Sequence, residues 1–229
     1  MMILHRYALY AAPRPGPLAS FAAAWLGRDA ETGEDIAHTA VTGLPRPLDA
    51  ITAAPRRYGF HGTIKPPFRL AEGRTEHDLR RACAALARSL APMSVGQMSV
   101  GQIGGFLALV PKGDQTALQA WAADVVRSLD PFRASLTDAD RQRRDPARLS
   151  PRQRALLERW GYPHVMDEFR FHMTLTGDLP DGDAAAAHLV LVPMIAPHLA
   201  DPFVIDDLCL FGEGPDGRFR ILHRYALTG

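Results

Sequence analysis

Two distant stretches of this chain carry the same set of reactive side chains. Phe60-His61-Gly62-Thr63-Ile64 and Phe171-His172-Met173-Thr174-Leu175 both read Phe-His-x-Thr-aliphatic. Side chains of an extended strand alternate between faces, so His61 and Thr63 share one face with Arg57, Gly59 and Lys65, while Tyr58, Phe60, Gly62 and Ile64 share the other. The second stretch sorts in the same way: His172 and Thr174 stand with Glu168, Arg170 and Thr176, opposite Phe169, Phe171, Met173 and Leu175. Each strand therefore hangs an imidazole and a hydroxyl roughly 7 Å apart on one polar face.

Two such strands side by side in a cleft would flank one small ligand with imidazoles. The chemistry this suits is phosphoryl transfer. Displacement at phosphorus has an entering oxygen to deprotonate and a leaving oxygen to protonate, and imidazoles with ordinary pKa values near 6.5 do both at neutral pH. Thr63 and Thr174, with Lys65 or an arginine, would stabilise charge developing on the non-bridging oxygens. A single His-x-Thr in a strand is ordinarily a half-buried or surface histidine; two copies with the same flanks and the same alternation point to a site. No third ligand accompanies the histidines at a spacing that zinc hydrolases show, and neither Asp206-Asp207 nor Asp138 and Asp140 supply one by motif. The residues thus favour an acid-base site over a metal site, and no cofactor is expected. Neither a Gly-x-Ser-x-Gly elbow nor a cysteine beside a histidine offers another nucleophile.

Lys65 and Arg57 on the face of His61, and Arg170 on that of His172, are candidate phosphate ligands, or else solvated strand charges. Arg56 points the other way. His5-Arg6-Tyr7-Ala8-Leu9 recurs as His223-Arg224-Tyr225-Ala226-Leu227 at the far end of the chain, which makes Tyr7 and Tyr225 candidates for the cleft wall or else packed rings with wet hydroxyls.

The elements that must position these groups follow from periodicity. Strands are expected at 3–11, 57–65, 94–101, 103–110, 168–176, 203–211 and 218–227. Helices are expected at 17–26, at 75–90 behind a Thr75-x-x-Asp78 capping box with a Leu79, Cys83, Leu86, Leu90 stripe, and at 115–129 with Leu118, Trp121, Val125 and Leu129. Ser150-Pro151-x-Gln153 starts a short helix ending near Gly161, and 184–191 forms another, limited by Pro193. Helices alternating with antiparallel strand pairs in both halves give an α+β class with two lobes, not a parallel Rossmann sheet, and no Gly-rich phosphate fingerprint opposes that. The stretch 133–160 holds Arg133, Arg141, Arg143, Arg144, Arg148, Arg152, Arg154 and Arg159, and reads as a helical insert over the cleft or as a solvated charged face.

Composition excludes several classes. With 47% hydrophobic and 22% charged residues the chain is globular, and a net charge of +1 gives no field that would hold nucleic acid or an anionic membrane. Cys83 and Cys209 lie in apolar runs and read as buried free thiols of a reducing compartment. His5 and Arg6 interrupt any signal-peptide core and no window reaches 18 apolar residues, so the expectation is a cytoplasmic protein without membrane association.

The run from Arg57 to Phe68 (Arg-Tyr-Gly-Phe-His-Gly-Thr-Ile-Lys-Pro-Pro-Phe), with Trp160-Gly161-Tyr162-Pro163 and Met166-Asp167-Glu168-Phe169-Arg170-Phe171-His172, resembles the 2H phosphoesterase superfamily. That superfamily includes 2′,5′ RNA ligase-like and cyclic phosphodiesterase proteins, and the runs are most similar to its branch encoded beside carbon-phosphorus lyase genes of phosphonate metabolism. The resemblance implies one domain over 1–229, built of two pseudo-symmetric lobes of antiparallel sheet and helices around a central cleft. It implies metal-independent hydrolysis and the catalytic set His61, Thr63, His172 and Thr174. The phosphonate pathway passes through a ribosyl 1,2-cyclic phosphate that must be opened, which makes a small cyclic phosphodiester of that kind the expected substrate. The alternatives are an RNA-end 2′,3′-cyclic phosphodiesterase or 2′,5′ ligase-like enzyme, or a module that binds phosphate or RNA ends without turnover. Near-zero charge and the lack of interleaved aromatic and basic residues count against stable nucleic-acid binding and leave a small phosphorylated compound as the partner. Which histidine is base and which acid, and the oligomeric state, are not legible in the sequence.

Overall fold

The computed structural model describes residues 4–229; residue 3, the start of the first expected strand, lies outside them. In chain order the elements are β1 (Tyr7–Ala11), α1 (Pro17–Leu26), α2 (Leu48–Ile51), α3 (Ala53–Arg56), β2 (Gly62–Phe68), α4 (Glu76–Ser89), β3 (Met93–Gly96), β4 (Met98–Ile103), β5 (Phe106–Pro111), α5 (Thr116–Ser128), α6 (Asp138–Gln142), α7 (Pro151–Trp160), β6 (Met173–Thr174), α8 (Asp181–Ile195), β7 (Phe203–Ile205), β8 (Asp207–Glu213) and β9 (Phe219–Ala226). The class is α+β with antiparallel strand pairs throughout.

The strongest local signals produce their elements. Thr75 and Asp78 form the reciprocal capping box that opens α4, whose Leu79, Cys83 and Ala87 are buried. Ser150 and Gln153 do the same for α7, which Gly161 ends in the left-handed conformation. Pro193 does not stop α8. It sits on the exposed side, away from the buried Ala184, Ala187, Leu191 and Ile195 stripe, and the helix continues to Ile195.

Seven strands form one sheet in the order β4-β5-β6-β2-β1-β8-β9, and β3 pairs with β7 in a second, two-stranded sheet. The order hides a duplication. β1-α1-β2-α4-β3-β4 and β5-α5-β6-α8-β7-β8 run in the same sequence, and the sheet reads outwards as β2-β1-β8 on one side of its centre and β6-β5-β4 on the other. The two lobes are thus halves of one sheet, and β2 and β6 meet at the seam. The helices cross the seam: Trp25 of α1 donates through Nε1 to Leu175 O at 2.9 Å, while Lys65 of β2 reaches Val126 O of α5 at 3.2 Å. The repeated pentapeptides at the chain ends stand outside this symmetry, since their strands β1 and β9 flank β8 on its two sides.

One face of the sheet is dry. Tyr7, Leu9 and Ala11 of β1, Met173 of β6 and Leu208 and Leu210 of β8 pack with α4, α8 and Trp25 in the main core. On the other face Ala8, Tyr10, Cys209, Phe211 and Phe219 form a smaller aromatic cluster that floors a cleft. Both cysteines are buried and free. Among the described residues no helix is long and apolar enough to cross a membrane.

Both motif strands are shorter and later than their alternation predicts. Residues 53–56 are helical, and Gly59, at φ 71°, turns the chain before β2 begins at Gly62. A Cβ at Gly59 would fall 3.2 Å from Ala30 Cα and closer to its Cβ, so the turn admits only glycine on both counts. Residues 166–168 form a 3-10 turn entered by Met166 at φ 55°, which reduces the second strand to β6. Expected strand 203–211 breaks at Asp206 into β7 and β8.

Candidate active site

β2 and β6 pair antiparallel with Gly62 opposite Met173. One step to either side along this register, His61 faces Thr174 and Thr63 faces His172. Gly62 and Met173 point the other way, and the gap over Gly62 is filled by Phe171: a Cβ there would lie 3.3 Å from the Phe171 Cδ2 and closer to Cε2 and Cζ. The missing side chain lets the two motif strands approach.

The two imidazoles are held alike. His61 Nδ1 lies 2.9 Å from Gly59 O and His172 Nδ1 lies 2.9 Å from Arg170 O, in each case the carbonyl two residues earlier. A carbonyl only accepts, so Nδ1 carries the proton of each neutral ring and Nε2 keeps its lone pair. The Thr63 hydroxyl stands 3.3 Å from His61 Nε2. His61 stacks on Tyr10 with centroids 3.9 Å apart, and His172 is tilted against Phe106 at 5.6 Å. Burial pushes the His61 pKa down to about 4; the Gly59 hydrogen bond opposes the shift, and the charge of His172 adds to it.

His61, Thr63 and Thr174 line a cleft of about 320 Å³ with Tyr10, Tyr58, Phe106, Tyr162, Arg6 and Arg144. His172 lines an adjoining cavity of about 530 Å³ with Arg170, His164 and Gln153. The two share Thr63, Pro66, Phe106 and Tyr162 as lining, so the four motif side chains border two adjoining cavities. Thr176, the next polar residue of the second motif face, is turned to structure. Its hydroxyl accepts from Leu107 N and donates to Gly177 O, both at 2.9 Å.

The cations do not follow the alternation. Lys65 is buried, 3.3 Å from Asp130, and lines neither cavity. The cause is a β-bulge: Tyr10 pairs with Thr63 but Leu9 with Lys65, so Ile64 is an extra residue and Lys65 takes the face opposite Thr63. Arg57 is exposed on the far side of the turn, 3.4 Å from Gly217 O. Arg170 reaches the second cavity, at its exposed edge. Tyr7 and Tyr225 lie on the α4 side of the sheet: Tyr7 bonds Glu76 at 3.0 Å, Tyr225 meets His223 edge-on, and burial raises both hydroxyls to about 12.

Several cleft residues escape a reading of the sequence. Tyr10 is three residues from Tyr7 and so on the opposite face of β1, and its aromatic partners Phe211 and Phe219 are the only signal for it. Arg6 lies in the repeated pentapeptide. Its guanidinium holds Glu213 through two 2.6 Å hydrogen bonds while bordering the cleft. Arg144 belongs to the Arg-rich stretch, several of whose other members are spent on carboxylates in or near it: Arg141 on Asp138 and Glu158, Arg148 on Asp145, Arg152 on Asp167. Nothing in the sequence separates Arg144 from them. Among the described residues no three His, Cys, Asp or Glu side chains gather as a metal-ligand set.

This arrangement can place an anion between two imidazoles whose Nδ1 atoms are held by backbone carbonyls, leaving Nε2 for proton transfer, with the Thr63 hydroxyl beside that of His61. A family model described as "Protein of unknown function (DUF1045)" matches residues 63–220, a span that includes Thr63, His172 and Thr174 and begins two residues after His61. Among curated proteins, the chain is 40% identical over 181 residues to one from Janthinobacterium sp. (strain Marseille), covering 78% of this chain and 40% of that protein. It is 35% identical over 196 residues to one from Laribacter hongkongensis (strain HLHK9), covering 80% and 44%. Both are named ribose 1,5-bisphosphate phosphokinase PhnN, and the chain spans less than half of their length. Among solved structures, E. coli LigT complexed with 3′-AMP aligns over 99% of this chain and all of that one, at 15% identity and a TM-score of 0.43.

Proposed function

The chain belongs to the DUF1045 family, and we propose that it is a metal-independent phosphoesterase of the 2H type that hydrolyses a small cyclic phosphodiester. The observation that carries this is the β2–β6 register, which supports a square of His61, Thr174, Thr63 and His172 on one polar face. Burial keeps His61 neutral at physiological pH, which favours it as the base and His172 as the acid. A water oxygen attacks phosphorus and gives its proton to His61 Nε2. The ring P–O bond breaks, and the departing oxygen takes the Nε2 proton of His172, which enters the step as the imidazolium and leaves it neutral with its Nδ1 proton still on the Arg170 carbonyl. Thr63 and Thr174 donate hydrogen bonds to the non-bridging oxygens as charge builds on them. An anionic substrate beside His61 raises its proton affinity when bound, which improves a base that is weak in the free protein. Exchange with solvent then returns each histidine to its starting form.

The substrate class we favour is a ribosyl 1,2-cyclic phosphate. Opening its ring at O2 leaves a ribose 1-phosphate ester, the linkage present in the compound for which the two curated relatives are named. The kinase activity in those names is not carried over: neither of the two lysines, Lys65 and Lys112, is preceded by the glycine that a kinase phosphate loop requires. Assay of ribosyl 1,2-cyclic phosphate and of nucleoside 2′,3′-cyclic phosphates, with and without EDTA, tests the reading. Turnover of the ribosyl compound at full rate in chelator is expected. A requirement for added divalent metal, or no turnover of any cyclic phosphate, would overturn it.

A further inference from the structure

The carbonyl that holds His61 belongs to a turn that is itself held from behind. Gly59, at φ 71° between α3 and β2, offers its oxygen to His61 Nδ1 at 2.9 Å, and that bond orients the ring only as far as the turn is fixed. Two arginines tie the end of α1 to this turn, and among the described residues neither has a carboxylate partner. Arg28 donates through Nη1 to Arg56 O at 3.2 Å and to Arg57 O at 2.9 Å. Arg56 reaches the other way: its Nε donates to Leu26 O at 2.9 Å, and its Nη2 to Asp49 O at 3.0 Å and to His38 Nε2 at 2.8 Å. Each guanidinium grips backbone beside the other. The two carbonyls that Arg28 holds carry the turn, because Arg56 O also accepts from Gly59 N at 3.3 Å and Arg57 O from Phe219 N of β9 at 2.8 Å.

Arg28 is costly where it stands. It is fully buried, and its Nε and Nη2 have no hydrogen-bond partner. Burial, with the charges of Arg218 and Arg220, pulls its pKa down to about 10 against the opposing pull of Asp216 and Asp35, which still leaves the guanidinium charged at neutral pH. Packing alone would be served better by an apolar side chain of similar volume. What such a chain could not supply is the pair of bonds to Arg56 O and Arg57 O.

We propose that Arg28 and Arg56 are positioning residues for the base: through the Gly59 turn they hold His61 in the tautomer that leaves Nε2 open to the proton of the attacking water. Neither arginine lines the cleft or the cavity beside it, so both act only through the turn. The clamp rests on the phosphodiesterase reading for its effect on rate, but not for its effect on the ring, and the test separates the two. Nitrogen-proton correlation spectra of the histidine side chains, taken at about pH 8.5 so that ordinary imidazoles are neutral, report which ring nitrogen carries the proton. In the native protein His61 and His172 are each expected as the single Nδ1–H tautomer. Arg28→Met should give mixed tautomers at His61 and leave His172 unchanged, because the His172 ring is held by Arg170 O, which the clamp does not touch. For the ribosyl 1,2-cyclic phosphate, kcat should fall about tenfold to a hundredfold with KM within about twofold of native, as misplacement of a reacting group predicts. Arg56→Met, at a half-buried position, should change His61 and kcat in the same direction, and it decides the matter if Arg28→Met does not fold. A folded variant that keeps the single His61 tautomer overturns the clamp, whatever its urea midpoint, and reduces the arginines to packing. Mixed tautomers with native kcat overturn it equally. If the native protein turns over no cyclic phosphate while the His61 tautomer still depends on Arg28, the clamp stands and the phosphodiesterase reading falls.

Discussion

The His61 imidazole lies on the Tyr10 ring, centroids 3.9 Å apart and planes 26° from parallel. Tyr10 cannot retreat, because Phe211 and Phe219 pack against it at 4.8 and 6.2 Å and its own exposure is 1%. The stack removes water from one side of the imidazole, and that desolvation sets its protonation.

The first prediction concerns pH. NMR titration of His61 should give a pKa near 4, and Tyr10→Ala should move it towards 6.5. The unfolded chain binds this proton more tightly than the folded one, so the stability linked to His61 is complete above about pH 6.5 and is lost as pH falls towards 4. Urea midpoints at pH 7 and pH 5 should therefore differ more for the native protein than for His61→Gln. A His61 pKa at or above 6.5 in the folded protein would contradict the burial argument.

Removal of the proton carriers should be costly. His61→Ala or His172→Ala is expected to lower kcat at least about a hundredfold, and Thr63→Val or Thr174→Val by roughly the same factor if each hydroxyl serves as an oxyanion donor. Circular dichroism should remain native. The double histidine variant should lose little beyond the worse single one, because the two act in one step. Fully additive losses would argue against that shared step.

Gly62 tests the seam between the lobes. Gly62→Ala drives a methyl into the Phe171 ring and should cost about 1–3 kcal/mol in urea denaturation, with loss of activity as the motif strands separate. Phe171→Leu in the same chain should recover part of both. A neutral Gly62→Ala would mean that the strands do not meet as described.

Lys65 should behave as a structural residue. Burial holds its ammonium down to about 8 while Asp130 opposes the shift. Lys65→Met leaves Asp130 with Arg133 as partner, so a stability loss of about 1–3 kcal/mol is expected, with KM for the cyclic phosphate unchanged. A raised KM at native stability would return Lys65 to the site.

The sequence by itself determined the recurrence of Phe-His-x-Thr, the capped helices at 76–89 and 151–160, and the α+β alternation. These are local: a cap joins residues three apart, and a helix stripe needs only its own turns. Tertiary structure alone decided that β6 lies against β2, that His61 stacks on Tyr10, and that Arg144, out of many arginines, lines the cleft. It also decided against Lys65, Tyr7 and Tyr225 as cleft residues. Strand alternation has a period of two, so the one extra residue at Ile64 puts Lys65 on the face opposite Thr63, and which face of β1 meets the cleft depends on partners distant in sequence.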